Sequence, residues 1–359
     1  MMFRTKICRI VASVCIAMHV YAAALAQDVG FSQFYDQPLL RNPALAGIFT
    51  GDVRLTASYR NQWQSVTVPY RTFGLSSEIK FPVQVMGRDL TLTTGLQLLR
   101  DVAGTSEFSK TQVMPALNLS IPVSANSFLS VGFMGGLMQQ RFDPSKLVLN
   151  DQFVTNSDGS FTVLPFSGQV FTNTSVNYFD LSTGITYSTS VNENVDLYFG
   201  AALFHVNNPK VGYVEDKQII LNKKFAINAG LSARVSDRDE LIVYGDYFGQ
   251  HKKDFEYVGI SSFQAGLLLR HDISVYEDDD KGITAGVLYR LDDAVIPVIQ
   301  LHLNKFTVGT SYDINISKLS VASQLRGGFE LTLSFKSLFQ NRQGDLRSVV
   351  CPQFGGRRK

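Results

Sequence analysis

Cysteine is nearly absent from this chain. Of three in 359 residues, Cys8 and Cys15 lie within the first 26, and Cys351 alone remains beyond them. One thiol excludes a disulfide framework and any thiolate zinc site. Long apolar runs are missing too: past residue 26 no stretch reaches 18 uninterrupted apolar residues, which excludes a transmembrane helix. An excess of charge is also lacking. The 33 Lys and Arg, less the three at positions 4, 6 and 9, leave 30 against 31 Asp and Glu, and that balance gives no reason to expect nucleic acid as a partner. Finally, no composition shift or Pro/Gly/Ser linker divides the chain, although its length would suffice for two soluble domains.

What is present begins at the N-terminus. Arg4, Lys6 and Arg9 precede a stretch, 10–25, free of Lys, Arg, Asp and Glu, and Ala24 and Ala26 are the small residues that a signal peptidase reads. Residues 1–26 are therefore expected to be a cleaved secretory signal, cut between Ala26 and Gln27. The first mature residue is not cysteine, so a lipoprotein is not expected. An exported chain without a membrane helix is periplasmic, secreted or an outer-membrane barrel.

Apolar–polar alternation chooses the barrel. It recurs over 52–60, 72–81, 90–101, 111–123, 128–140, 178–189, 195–206, 225–235, 240–250, 261–273, 282–291, 294–303, 305–314 and 328–337. These 14 segments are even in number, and most have the length a tilted strand needs to cross a bilayer. The expected fold is all-β: a transmembrane antiparallel β-barrel of about 14 strands. If the first strand runs outward, the two longest connections, near 141–177 and 207–224, face outside, whereas turns such as 191–194 and 236–239 are periplasmic. Faces such as Phe225, Ile227, Ala229, Leu231 and Phe329, Leu331, Leu333, Phe335 are apolar along their whole length, unlike the solvent face of a sandwich.

The other face carries mixed charge, including Glu78, Lys80, Asp180, Asp246, Arg270, Arg290 and Glu330, which belongs in a lumen because Arg or Lys facing lipid near the midplane costs about 2–4 kcal/mol. That face also carries many glycines, among them Gly74, Gly95, Gly132, Gly184, Gly200 and Gly309. Glycine within a strand marks a bend or the close approach of another backbone. The chain segment available to approach is 27–51, rich in aromatics and proline and without strand periodicity, with Asn42-Pro43 as a turn former. It is expected to plug the lumen. The domain plan is thus 1–26 signal, 27–51 plug, 52–337 barrel and 338–359 periplasmic tail.

At this point the chain resembles a known family. Phe31-Ser32-Gln33-Phe34-Tyr35 and Asn42-Pro43-Ala44-Leu45-Ala46-Gly47 are similar to the mature N-terminus of the PorP/SprF family of type IX secretion and gliding-motility outer-membrane proteins of Bacteroidota. The likeness continues in Tyr59-Arg60-Asn61-Gln62-Trp63, His205-Val206-Asn207-Asn208-Pro209, Ser311-Tyr312-Asp313-Ile314-Asn315, Gly327-Gly328-Phe329-Glu330-Leu331 and Cys351-Pro352-Gln353-Phe354. The resemblance implies a non-enzymatic barrel in the outer membrane. Its role would be to support export or surface anchoring of a partner with a C-terminal sorting domain, such as an adhesin, in contact with periplasmic type IX components. A competing expectation is a transporter of hydrophobic small molecules, since fatty-acid transport barrels also have 14 strands and an N-terminal Asn-Pro-Ala hatch; a general porin is a third.

Site chemistry is sparse. His205, His251, His271 and His302 have no second ligand at metal spacing, and the contiguous acids 277–280 lack the alternation of a calcium loop, so no metal, cofactor or catalytic residue is expected. A Ser188–His205 pair can be drawn on the barrel, but no motif supports it. Two further expectations concern the ends of the design. The last strand, with Arg326, Gly328, Leu331 and Leu333, should close on the first. The outside loop 141–177, with Phe153 and Phe161 around a turn at 156–160, should fold as a hairpin and touch the partner.

Overall fold

The computed structural model describes residues 30–64, 68–171, 173–213, 219–251, 257–276, 279–317, 323–337 and 354. The strands in chain order are β1 (Val53–Gln62), β2 (Tyr70–Val85), β3 (Arg88–Ala103), β4 (Phe108–Ser124), β5 (Ser127–Arg141), β6 (Phe153–Thr155), β7 (Phe161–Val163) and β8 (Ser175–Asn192). They continue with β9 (Val195–Phe204), β10 (Lys224–Arg234), β11 (Asp239–His251), β12 (Tyr257–Asp272), β13 (Lys281–Arg290), β14 (Ala294–Leu303), β15 (Phe306–Asn315) and β16 (Arg326–Ser337). All but β6 and β7 form one closed antiparallel barrel of 14 strands in which each pairs with its neighbours in sequence. Closure comes from β16 on β1, with Phe335 opposite Leu55 and Leu331 opposite Tyr59. Every alternating segment read from the sequence coincides with one of these strands. Several strands run further, such as β2 and β12, because ladder bonds continue past the point where the alternation lapses.

Alternation sets the inside and the outside. On β5, Phe133 and Leu137 are 60% and 67% exposed while Met134 and Met138, one residue on, are buried. In water such a continuous apolar exterior would drive aggregation; in a bilayer it is the required surface. The longest connections, 142–174 and 205–223, lie at one end, and the two-residue turns 86–87, 125–126, 193–194 and 304–305 all lie at the other, with 235–238. The connections 104–107 and 291–293 are short exceptions at the long-loop end, and 273–280 is a longer one at the short-turn end. The first of the short turns is a two-residue hairpin in which Met86 and Gly87 both have positive φ, matching the twist of the strands it joins. Short turns face the periplasm in such barrels, so β1 runs outward.

Candidate functional site

The interior is occupied by the chain itself. Residues 31–51 are almost wholly buried and form three short turns, a 3-10 turn Phe34–Asp36, one α-turn Pro38–Arg41 and a 3-10 turn Pro43–Leu45, the second and third each opened by a proline. A single turn of helix has too few internal bonds to stand alone in water. Here the backbone groups and side chains are held instead by inward-facing residues of the barrel, and the contacts descend from the outer half to the periplasmic end.

At the top, Ser32 and Gln33 donate their backbone N–H groups to Glu330 of β16, at 2.6 and 2.8 Å. Ser32 Oγ donates to Asp313 Oδ1 of β15 (2.5 Å). Asp313 Oδ2 accepts from Arg60 of β1 (2.6 Å) and Arg290 of β13 (2.5 Å), and Arg60 also donates to the Gly30 carbonyl. The Phe31 ring fills the space above Gly74, where an added Cβ would lie 2.7 Å from its Cζ. In the middle, Arg41 makes a bidentate pair with Asp246 of β11, both contacts 2.7 Å, and donates to the Tyr198 hydroxyl of β9 at 2.8 Å. Its guanidinium also stands over the rings of Phe34 and Tyr244, 5.2 and 5.6 Å from their centroids. A buried charge is costly unless paired, and this one has a bidentate carboxylate and two aromatic faces.

The Asn-Pro-Ala turn follows. Asn42 Oδ1 accepts from the Ala44 N–H (2.8 Å), capping the turn, while its amide nitrogen lies 3.2 Å from Thr186 Oγ1 and 3.3 Å from the Ile185 and Ala201 carbonyls. Such close approach needs glycine in the wall. A Cβ on Gly184 would fall 1.9 Å from Asn42 Oδ1, and one on Gly132 2.4 Å from both Ala44 N and Pro43 C. Asn118 of β4 donates to the Ala46 carbonyl (2.5 Å). At the periplasmic end, Gly47 N donates to Glu78 Oε2 (2.9 Å), whose carboxylate also takes Arg54. Lys80 Nζ donates to the Phe49 carbonyl (2.7 Å) and sits 4.5 Å from its ring centroid.

The sequence motifs that carried the resemblance are far apart in the chain, and several converge here: Ser32 and Gln33, Arg60, Asp313 and Glu330 form one network. Others lie outside it. Tyr312 faces outward and is 42% exposed, and Trp63 stands at the outer end of β1 beside Tyr70, ring centroids 5.2 Å apart. Ala26, Gln27, Cys351 and Pro352 lie outside the described residues, as do 277 and 278. Phe354 is described. It packs edge-on against Tyr198 (4.8 Å between centroids), near Tyr244, Leu45 and Ile48, so part of the tail lies against the inward face of the barrel. No periodicity in the tail signalled that contact. His205 pairs with Asp180, its Nδ1 2.9 Å from Asp180 Oδ2, with both side chains buried. Ser188 also faces inward but lies toward the opposite, periplasmic end of β8, so Ser188 and His205 do not meet. Among the described residues no group of three His, Cys, Asp or Glu is placed to hold a metal ion.

Outside the membrane, β6 and β7 form a separate hairpin in the 142–174 loop, pairing Phe153 with Val163 and Thr155 with Phe161. Asp158 Oδ1 accepts from the Ser160 N–H at its tip. Asp151 clasps its base, accepting from Ser167 Oγ and Gly168 N at 2.7 Å each, and the Ser167 hydrogen bond holds its carboxyl below the ordinary carboxylate range. Phe161 and Phe166 remain 68% and 83% exposed.

A closed 14-strand barrel with an apolar exterior, short turns at one end and long loops at the other is an outer-membrane protein. The chain belongs to the type IX secretion system membrane protein PorP/SprF family, whose model matches residues 23–335. No curated protein matches it in sequence. Among solved structures, the Pseudomonas putida toluene transporter TodX is similar in fold, with a TM-score of 0.50 at 10% identity over 87% of this chain and 95% of that one. The Ralstonia pickettii toluene transporter TbuX gives 0.49 at 8% identity over 88% and 96%.

Proposed function

We propose that this barrel serves type IX secretion without catalysis, anchoring or passing on a partner protein at the cell surface while residues 27–51 keep its lumen closed. The observation that carries the reading is the family match together with a lumen lined by side chains already committed to residues 30–51. A barrel in which Glu330, Asp246, Glu78 and Lys80 are engaged by its own N-terminal segment has little free cross-section for a solute path. The partner is expected to be a secreted or surface-anchored protein with a C-terminal sorting domain, such as an adhesin. It would meet the exposed apolar hairpin outside, with periplasmic type IX components on the side of the short turns. Exposed apolar patches on folded elements mark interaction sites more often than inert surface. The toluene transporters share the architecture at 10% identity or less, which supports the fold and not a hydrocarbon cargo.

The test is the double substitution Phe153→Ser and Phe161→Ser with barrel abundance monitored. We expect surface retention of the partner to fall several-fold at unchanged barrel level. Unchanged retention would remove the loop from the partner interface.

A further inference from the structure

Between the wall and the N-terminal segment, in the outer half of the barrel, lies a cavity of about 40 Å3. One buried water needs roughly 10–15 Å3, so the space holds a few small atoms and not a single trapped water. One side is apolar and adaptable: Met114 of β4, Met134 and Met138 of β5, Phe204 of β9, and Leu40 of the N-terminal segment. Two residues that line the cavity at successive inward positions of β8 each carry a buried oxygen without a hydrogen-bond partner among the described residues, Asp180 Oδ1 and Ser182 Oγ. Buried polar atoms are almost always satisfied, and an orphaned carboxylate oxygen calls for a donor. The other Asp180 oxygen is engaged, since His205 Nδ1 lies 2.9 Å from Oδ2. Lys110 and Lys224 stand on the polar side, and Lys224 Nζ is 4.6 Å from the Phe204 ring centroid.

We propose that this cavity is a binding site for a small amphipathic molecule, a short aliphatic body bearing an uncharged hydrogen-bond donor such as a hydroxyl or carboxamide. The donor goes to Asp180 Oδ1 and Ser182 Oγ, and the body lies on the methionines. The apolar side selects an uncharged donor, because desolvating an ion against the methionines and Phe204 costs far more than desolvating a hydroxyl or a carboxamide. Because Leu40 forms part of the wall, occupancy is linked to the seated position of the N-terminal segment: a ligand that needs Leu40 stabilises the state in which Leu40 is in place. The inference stands on the cavity and does not depend on the secretion reading.

The methionines make it testable. Beyond residue 26 the chain has four, three of them in the cavity and Met86 at a periplasmic turn, 99% exposed. In the full mature barrel labelled at methionine methyls, 1-butanol and butanamide are titrated against butylamine and butyrate. We expect saturable NMR shifts of Met114, Met134 and Met138 with the alcohol and amide, no shift of Met86, and at least tenfold weaker binding of the two ions. Ser182→Ala and Asp180→Ala, each checked for folding by gel mobility, should weaken the alcohol tenfold or more. Equal binding of all four probes, shifts shared by Met86, or no saturable shift would each overturn the proposal. The comparison of probes on the unaltered protein stands even if a variant fails to fold.

Discussion

At Gly132 the wall comes up against the main chain of the N-terminal segment. It lies on β5 facing inward, and any side chain there meets main chain and not the end of a flexible group: Ala44 N and Pro43 C at 2.4 Å, and the Pro43 carbonyl oxygen at 2.6 Å. The Pro43–Leu45 turn would have to retreat, and with it the Asn42 contacts to Thr186 and Ala201. Overpacking of this kind costs about 1–3 kcal/mol for added methylenes. At about 1.4 kcal/mol per factor of ten, Gly132→Ala should raise the population of the unseated segment on the order of 5- to 150-fold, and Gly132→Val should raise it further. The barrel wall should survive, since valine favours strands. Gly245→Ala is the matched control, because a Cβ there meets nothing within 4 Å. Hydrogen exchange of backbone amides 44–48 in the reconstituted protein reads the unseated population directly. Exchange that is as slow in Gly132→Val as in the unaltered chain would refute the argument that glycine is required there for the approach of the turn.

Further outcomes follow from the same geometry. Removing one member of the Arg41–Asp246 pair, as in Arg41→Met, leaves a buried charge uncompensated and should cost about 3–5 kcal/mol of seating. The double variant Arg41→Met with Asp246→Leu should recover much of that loss, as measured by a double-mutant cycle on the same exchange rates. On the closing strand, Leu331→Arg places a cation on the lipid face opposite Tyr59 and should cost about 2–4 kcal/mol if it lies near the midplane, lowering outer-membrane abundance. Gly328→Lys should lower it too, since a Cβ at Gly328 would lie 2.5 Å from the Asn61 carbonyl oxygen of β1.

The barrel was legible in the sequence because a membrane strand obeys one strong local rule. Phe329, Leu331 and Leu333 face lipid and Glu330 and Thr332 do not, so the period of two alone located β16 and predicted its pairing with β1. The extra length of β2 and β12 was not legible, since strands that project beyond the bilayer no longer need an apolar face. Inside, the sequence marked which residues point inward but not which of them meet. Arg41 and Asp246 are 205 positions apart, and nothing in either neighbourhood names the other. The inward glycines were the useful signal: Gly132, Gly184 and Gly200 mark the seat of the Asn-Pro-Ala turn because a wall that accepts main chain cannot carry side chains there. The His205–Asp180 pair was not legible, because its members are 25 positions apart and meet only once their strands are paired. Phe354 was likewise placed only as part of a tail, although its ring reaches Tyr198.

We propose that the N-terminal segment closes this barrel, and the conductance of single molecules in planar bilayers tests this most directly. The mature chain and a variant lacking residues 28–47 are compared after both are shown to be folded in detergent. The mature chain should be silent or nearly so at rest, and the deletion variant should conduct steadily through a lumen lined by Glu78, Lys80, Asp246 and Glu330. A deletion variant as tight as the mature chain, or a mature chain already conducting at the same level, would contradict it.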